Sequence, residues 1–200
     1  MKNSILIISV LSLLFFSCSE DLDRTIFIPD ENDSSLPAYS EWGYNSFGAE
    51  FDRLYFLASQ NIVPCKIKYE NDSLYFSLHG IVNDYDLENN RMILEFIFPF
   101  EKIENFTELI KLNDLNINLL PDYCKVVLDF DNTKTIVDVL SGKLHFKRTQ
   151  LLFVDDSINR VIISGVFDIR FRQNGYLSNI SNGRFDVGIN HRYFLNAQIE

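Results

Sequence analysis

The 200-residue chain has no apolar run long enough to span a membrane. Its one long apolar stretch, Ile5 to Phe16, covers about a dozen residues, against the roughly 20 that a spanning helix needs. Cations are scarce: 18 Lys and Arg stand against 28 Asp and Glu, a formal charge of −10. So acidic a chain repels phosphate backbones, which makes nucleic acid a poor partner, and it is disfavoured flat on anionic headgroups for the same reason. Histidine is rare too. His79, His145 and His191 have no second His, Cys or carboxylate at zinc-site spacing, so no metal is expected. Neither G-x-S-x-G nor H-E-x-x-H occurs, so no familiar nucleophile or zinc-protease helix is encoded, and no cofactor is expected. Acidic residues are plentiful, but no spacing among them identifies a glycosidase pair.

What is present begins with an address. Lys2 supplies a positive start, the apolar run carries only Ser9 and Ser12 within it, and it closes in Leu14-Phe15-Phe16-Ser17-Cys18. The length fits a signal-peptide core and is too short for a stop-transfer anchor. An apolar stretch, a small residue and then cysteine resembles the lipobox of bacterial lipoproteins. That resemblance implies diacylglycerol on the Cys18 thiol, cleavage after Ser17, and acylation of the new amine. Two or three chains hold stably where one is marginal. The plainer alternative is a secretory leader that contains a cysteine. Next, Ser19-Glu20-Asp21-Leu22-Asp23 is similar to the surface-export signal of Bacteroidetes lipoproteins, which implies an outward face on the outer membrane. A solvated acidic tether is the competing reading.

Cleavage leaves residues 18–200, a length that suits one domain. With 46% hydrophobic residues, 18 Phe and 9 Tyr, the chain has material for a sizeable core. Residues 18–38 read as the lipidated cysteine and an acidic, Pro-flanked tether, with Asp30-Glu31-Asn32-Asp33-Ser34-Ser35 between Pro29 and Pro37. Residues 39–200 form the domain. Two cysteines remain, Cys65 and Cys124, in a compartment where pairing is allowed. A bridge would close a loop of about 60 residues and add roughly 4 kcal/mol. Two separate buried thiols are the equal alternative.

From about residue 50 the apolar period is mostly two. Leu74, Phe76 and Leu78 alternate with Tyr75, Ser77 and His79, and the same holds around Val126, Leu144, Phe167 and Phe185. Such runs give each strand one core face and one wet face. Asn71-Asp72, Ser141-Gly142, Asn174-Gly175 and Asn182-Gly183 supply turn chemistry between them. Asn105-Phe106-Thr107-Glu108 has capping-box spacing, so one short helix is expected near residues 105–112. The fold class is therefore mainly β: an antiparallel β-sandwich or barrel with that one helix. Gly165-Val166-Phe167-Asp168-Ile169 is echoed by Gly183-Arg184-Phe185-Asp186-Val187, and the glycines are expected to give positive φ at turn exits.

Together with the leader and tether, Trp42-Gly43-Tyr44-Asn45-Ser46-Phe47-Gly48-Ala49 and the closing Ile180-Ser181-Asn182-Gly183-Arg184-Phe185-Asp186-Val187 resemble Bacteroidetes lipoproteins that carry a single β-rich domain. The resemblance implies location and fold class and brings no reaction and no catalytic residue. Two other likenesses compete with turn chemistry. Asp129-Phe130-Asp131-Asn132-Thr133 resembles the first motif of haloacid-dehalogenase-type phosphatases, and Val154-Asp155-Asp156 imitates their later acidic motif. That site needs a doubly wound parallel sheet, whereas period-two runs fill the space between the motifs. Asp129, Asp131 and Thr133 also lack the Gly and Glu that would continue a Ca²⁺ loop. Asp72-Ser73-Leu74 and Asp156-Ser157-Ile158 resemble the Bacteroidetes O-glycosylation acceptor triplet.

Tyr39, Trp42, Tyr44 and Phe47 cluster where tether meets domain. Exposed, they would make a ligand-facing platform for sugar rings; buried, they would close one end of the sandwich. The functional expectation is a non-catalytic cell-envelope lipoprotein, lipid-anchored and surface-exposed, binding a glycan or a protein. A structural subunit of an outer-membrane complex and a glycan-acting hydrolase are the alternatives. Labelled palmitate should enter the chain and be lost in Cys18→Ser, and globomycin should block processing; an unlabelled, normally processed chain would refute the address.

Overall fold

The computed structural model describes residues 21–59, 63–83, 90–130, 132–173 and 175–196. Period two dominates them as the spacing requires. Twelve strands follow: β1 (Ser46–Phe51), β2 (Leu54–Ala58), β3 (Cys65–Glu70), β4 (Ser73–Asn83), β5 (Asn90–Pro99) and β6 (Leu115–Asn118). The second half holds β7 (Lys125–Phe130), β8 (Thr133–Ile136), β9 (Asp138–Val154), β10 (Ser157–Gln173), β11 (Tyr176–Ile189) and β12 (Phe194–Asn196). They join in one sheet of order β6-β9-β10-β11-β1-β2-β4-β5-β7-β8, with β3 on the β2 edge of β4 and β12 beyond it. Every pair is antiparallel except β12 with β3. Among the described residues the outer strands β6 and β8 do not pair, so the sheet stays open and the barrel alternative falls.

The sheet bends over on itself, so that two halves of one sheet become the two layers of a sandwich-like body. Phe76 of β4 meets Phe146 of β9 at 5.2 Å and Phe185 of β11 at 5.0 Å; Phe96 of β5 meets Phe167 of β10 at 5.6 Å. Each buried ring contributes about 1.5–3 kcal/mol by leaving water, and edge-to-face pairs add about 0.5–1.5. Leu74, Leu78, Leu94, Leu128, Ile163 and Val187 fill the remaining space.

The expected helix forms as a 3-10 helix, Phe106–Leu112. The Asn105 side chain caps it by accepting from the Thr107 N–H at 3.0 Å, and its amide donates to the Glu108 carboxylate at 3.2 Å, so the foreseen pair meets side chain to side chain. Leu109 and Leu112 are its buried face.

Turn chemistry is resolved in two ways. Asn71-Asp72 and Asp155-Asp156 carry paired positive φ values and close the β3–β4 and β9–β10 hairpins. Ser141-Gly142 and Asn182-Gly183, expected as turns, instead lie inside the continuous strands β9 and β11. Register shifts occur beside them, and Asn182 has φ 53°, so the same local chemistry makes bulges rather than reversals.

The glycines of the echoed segments are not turn residues either. Gly165 sits opposite Phe185 and Gly183 opposite Phe167 on paired strands, so each copy's glycine faces the other's phenylalanine. A Cβ on Gly183 would lie 2.6 Å from the Phe167 ring, and one on Gly165 would lie 2.6 Å from the Phe185 ring and 2.2 Å from a backbone oxygen. Missing side chains here are space for rings.

The segment expected to stand free as a tether is docked. Leu36 and Pro37 are buried, and Pro37 occupies the space left by Gly48. Arg160, its side chain only 4% exposed, donates to the Leu22 carbonyl at 2.6 Å and pairs with Asp23 at 3.1 Å. Asn45, also buried, donates to the Leu22 carbonyl and accepts from the Gly188 N–H. The buried Asp186 carboxylate accepts from the Trp42, Gly43 and Tyr44 amides and from Ser40 Oγ. Arg184 holds Asp30 at 2.6 Å. Acids that read as solvated in sequence find arginines more than 130 residues away.

Gly165→Ala or Gly183→Ala should cost about 1–3 kcal/mol by overpacking, measured by urea unfolding; an unchanged midpoint would remove the cross-strand account.

Candidate functional site

β3, β4, β5, β7 and β8 turn one face to the core and the other outward. Alternation sends Lys66 and Lys68 out from β3, Ser77 and His79 from β4, Ile93 and Glu95 from β5, and Val127 and Asp129 from β7. Register aligns them. His79 pairs with Ile93, Ile93 with Asp129, and Asp129 with Lys134, a row of four across four strands. The neighbouring row runs Lys66, Ser77, Glu95, Val127.

Two depressions open on either side of the first row and share His79, Ile93 and Asp129. The larger encloses about 400 Å³ and is bounded by Ser59, Ile81, Arg91 and Asn132. The smaller, about 190 Å³, adds Lys66, Lys68, Glu95 and Lys134. Ile93 is an apolar floor between polar walls.

Two wall atoms stand out. Among the described residues, His79 Nε2 and Asp129 Oδ1, both buried, have no hydrogen-bond partner. Leaving such a group unmet costs about 1–3 kcal/mol, more for a charged one, and a ligand hydroxyl or amide that meets it recovers that cost. One strand separates them, so their backbones lie about 10 Å apart at usual strand spacing. At that separation they are not a hydrogen-bonded acid–base pair. Burial lowers the His79 pKa to about 4, helped by the Lys66 charge and opposed by Asp129. The imidazole is thus neutral at pH 7 and can donate or accept at Nε2 according to tautomer. Glu95 is positioned by Ser77, whose hydroxyl donates to it at 2.9 Å. Among the described residues no three His, Cys, Asp or Glu side chains gather as a metal site.

The residues singled out in sequence fall elsewhere. Cys18 lies outside the described residues. Cys65 and Cys124 are free, buried thiols, which corrects the bridge. Cys65 begins β3 and Cys124 precedes β7, with β4 and β5 between those strands, whereas a disulfide needs Cα atoms within about 7 Å. Burial raises both thiol pKa values, Cys124 to about 12, so neither is a ready nucleophile.

The four aromatics do not make one platform. Phe47 is a core residue, edge-on to Phe56 at 4.7 Å, which corrects its ligand-facing assignment. Tyr44 is partly buried and held through its backbone by Asp186. Tyr39 lies under Lys147 at 4.7 Å and donates to Glu41, itself bonded to Arg148. Burial, with Glu41 beside it, raises the Tyr39 pKa to about 12. Only Trp42 stands out, 75% exposed.

The phosphatase look-alike is the β7–β8 hairpin. Asp129 is strand, Asn132 has φ 68°, Asp131 lies outside the described residues, and the surrounding sheet is antiparallel. Its first aspartate nonetheless matters, because outward parity and register bring it to the groove. Sequence showed both His79 and Asp129 as outward positions; it could not show that β4 and β7 are next-but-one neighbours.

Because the folded His79 pKa lies below the ordinary histidine value of 6.5, the unfolded chain binds the extra proton first as pH falls. Stability from this group is full above about pH 6.5 and is lost as pH drops towards 4. His79→Asn should flatten that part of the pH–stability curve, and the wild-type ring should titrate near 4 by NMR; a ring titrating near 6.5 would dissolve the buried-histidine account.

No protein-family model, curated protein or solved structure matches this chain.

Proposed function

We propose that the chain is a non-catalytic lipoprotein of the cell envelope, anchored through Cys18 and exposed on the outer membrane, whose β-sandwich binds a glycan in the His79–Asp129 groove. The observation that carries the binding reading is the pair of buried, partnerless polar atoms converging on one apolar floor. A hydroxyl-rich ring offers the donors and acceptors these atoms need, and its C–H face suits Ile93. The 400 Å³ volume falls in the usual range for small-ligand sites, roughly 300–1,000 Å³. Lys66, Arg91 and Lys134 border the groove of a chain whose overall charge is −10, which favours a sugar bearing carboxylates over a neutral one.

One observation supports a second reading. Glu95 and Asp129 occupy diagonal positions on β5 and β7, since Ile93 pairs with Asp129 and Glu95 with Val127. Diagonal neighbours lie about 7–8 Å apart, and inverting glycosidases hold their carboxyls about 6.5–9.5 Å apart. A glycan that binds and is also cut, with cutting lost in Glu95→Gln, would make the protein a hydrolase.

For the binding reading, titration calorimetry of the soluble body with acidic oligosaccharides should show saturable binding. Asp129→Asn should weaken it about 10- to 100-fold, the loss of one hydrogen bond to a charged group. Binding unchanged in Asp129→Asn would move the site elsewhere, and an array of acidic and neutral glycans with no binder would end the glycan reading.

A further inference from the structure

The docked segment fixes where a membrane anchor would pull. Only Ser19 and Glu20 separate Cys18 from Asp21, and Leu22 is already bonded to Arg160 and Asn45. Four residues of chain reach about 14 Å at most. A lipidated Cys18 therefore cannot hold the domain far off on a loose leash, as the tether reading implied. It draws the Arg160 end of the sandwich against the lipid surface.

That end carries a projecting apolar tip. β11 covers β10 only from Val161 onward, so Ser157–Arg160 and their β9 partners extend beyond it. The hairpin tip shows Phe153, 58% exposed, and Val154, 41% exposed, the two residues of β9 that follow Leu152, the strand partner of Arg160. An exposed phenylalanine and valine beside an anchor point are what an interfacial contact uses. The tip's turn residues are Asp155 and Asp156, which excludes a strongly anionic surface and selects a zwitterionic one.

The Asp129 side of the groove lies away from that end. Phe130, next to Asp129, packs on Phe51 at 5.9 Å, and Phe51 packs on Phe171 at 6.4 Å. Phe171 is eleven residues along β10 from Arg160, about 36 Å at the strand rise.

Resting on the lipid-anchored reading, we infer that the β9–β10 tip, through Phe153 and Val154, seats in the headgroup region of a zwitterionic bilayer and stands the sandwich upright, with the His79–Asp129 groove held away from the membrane.

The test uses the full lipidated chain in phosphatidylethanolamine/phosphatidylcholine vesicles with brominated acyl chains. Trp42 is the sole tryptophan, so Trp42→Phe combined with Phe153→Trp puts one reporter at the tip. Trp42→Phe with Tyr176→Trp puts it at the opposite β10–β11 tip, where Tyr176 is 78% exposed. The position-153 reporter should shift to the blue and lose emission to bromine, and the position-176 reporter should do neither. Replacing part of the lipid with phosphatidylglycerol should reduce the quenching, and an increase would overturn the zwitterionic assignment. Vesicle-bound protein whose position-153 reporter stays water-accessible, or whose position-176 reporter is quenched equally, overturns the orientation alone. A sugar found on Ser157 by mass spectrometry would hold the tip in water and also overturns it. A chain that takes up no labelled palmitate and does not float with vesicles overturns the anchor and the orientation together.

Discussion

Each strand of this protein has one apolar face, and a sheet of such strands has nowhere to put that face except against itself. The phenylalanines set how the closure happens. Phe76, Phe96, Phe146, Phe167 and Phe185 interlock across the two halves of one bent sheet, with glycine placed opposite the rings that would otherwise collide. The bend is the origin of everything else. It gives β10 and β11 an outer face on which the amino-terminal segment lies, and it gives β4, β5 and β7 an outer face on which the groove opens.

Polar groups then settle where the two outer faces allow. On the β10–β11 side the buried Arg160 and Asp186 are satisfied. Arg160 spans Leu22 and Asp23, and Asp186 accepts from three consecutive amides and a hydroxyl. A buried ion is tolerable only when its bonding capacity is met this fully. On the β4–β7 side the account is left open at His79 Nε2 and Asp129 Oδ1. The contrast between a closed polar network and an open one, within a single sheet, is what separates scaffold from candidate site.

Much of this was legible in the residues. Alternation announced the strands, and Asn105 with Glu108 announced the capped helix, because both rest on contacts a few residues long. Partnership over distance was not legible. The acids of residues 21–33 looked solvated because their arginines, Arg160 and Arg184, lie at the other end of the chain. Cys65 and Cys124 each precede a strand, and nothing local revealed that two more strands stand between them. Asn182-Gly183 carried turn chemistry truthfully, but a bulge needs the same backbone as a turn, and only the partner strand decides between them. His79 and Asp129 were visible as outward residues, but their alignment was not, since their shared row exists only once β5 lies between β4 and β7.

The open sheet ends on β6 and β8, each four residues long, and Lys134 sits in the second. An unpaired edge is a template on which another chain can add a strand, and a short edge bearing a lysine offers little length and an unwelcome charge. At these two strands a second copy therefore finds little backbone on which to add its own margin.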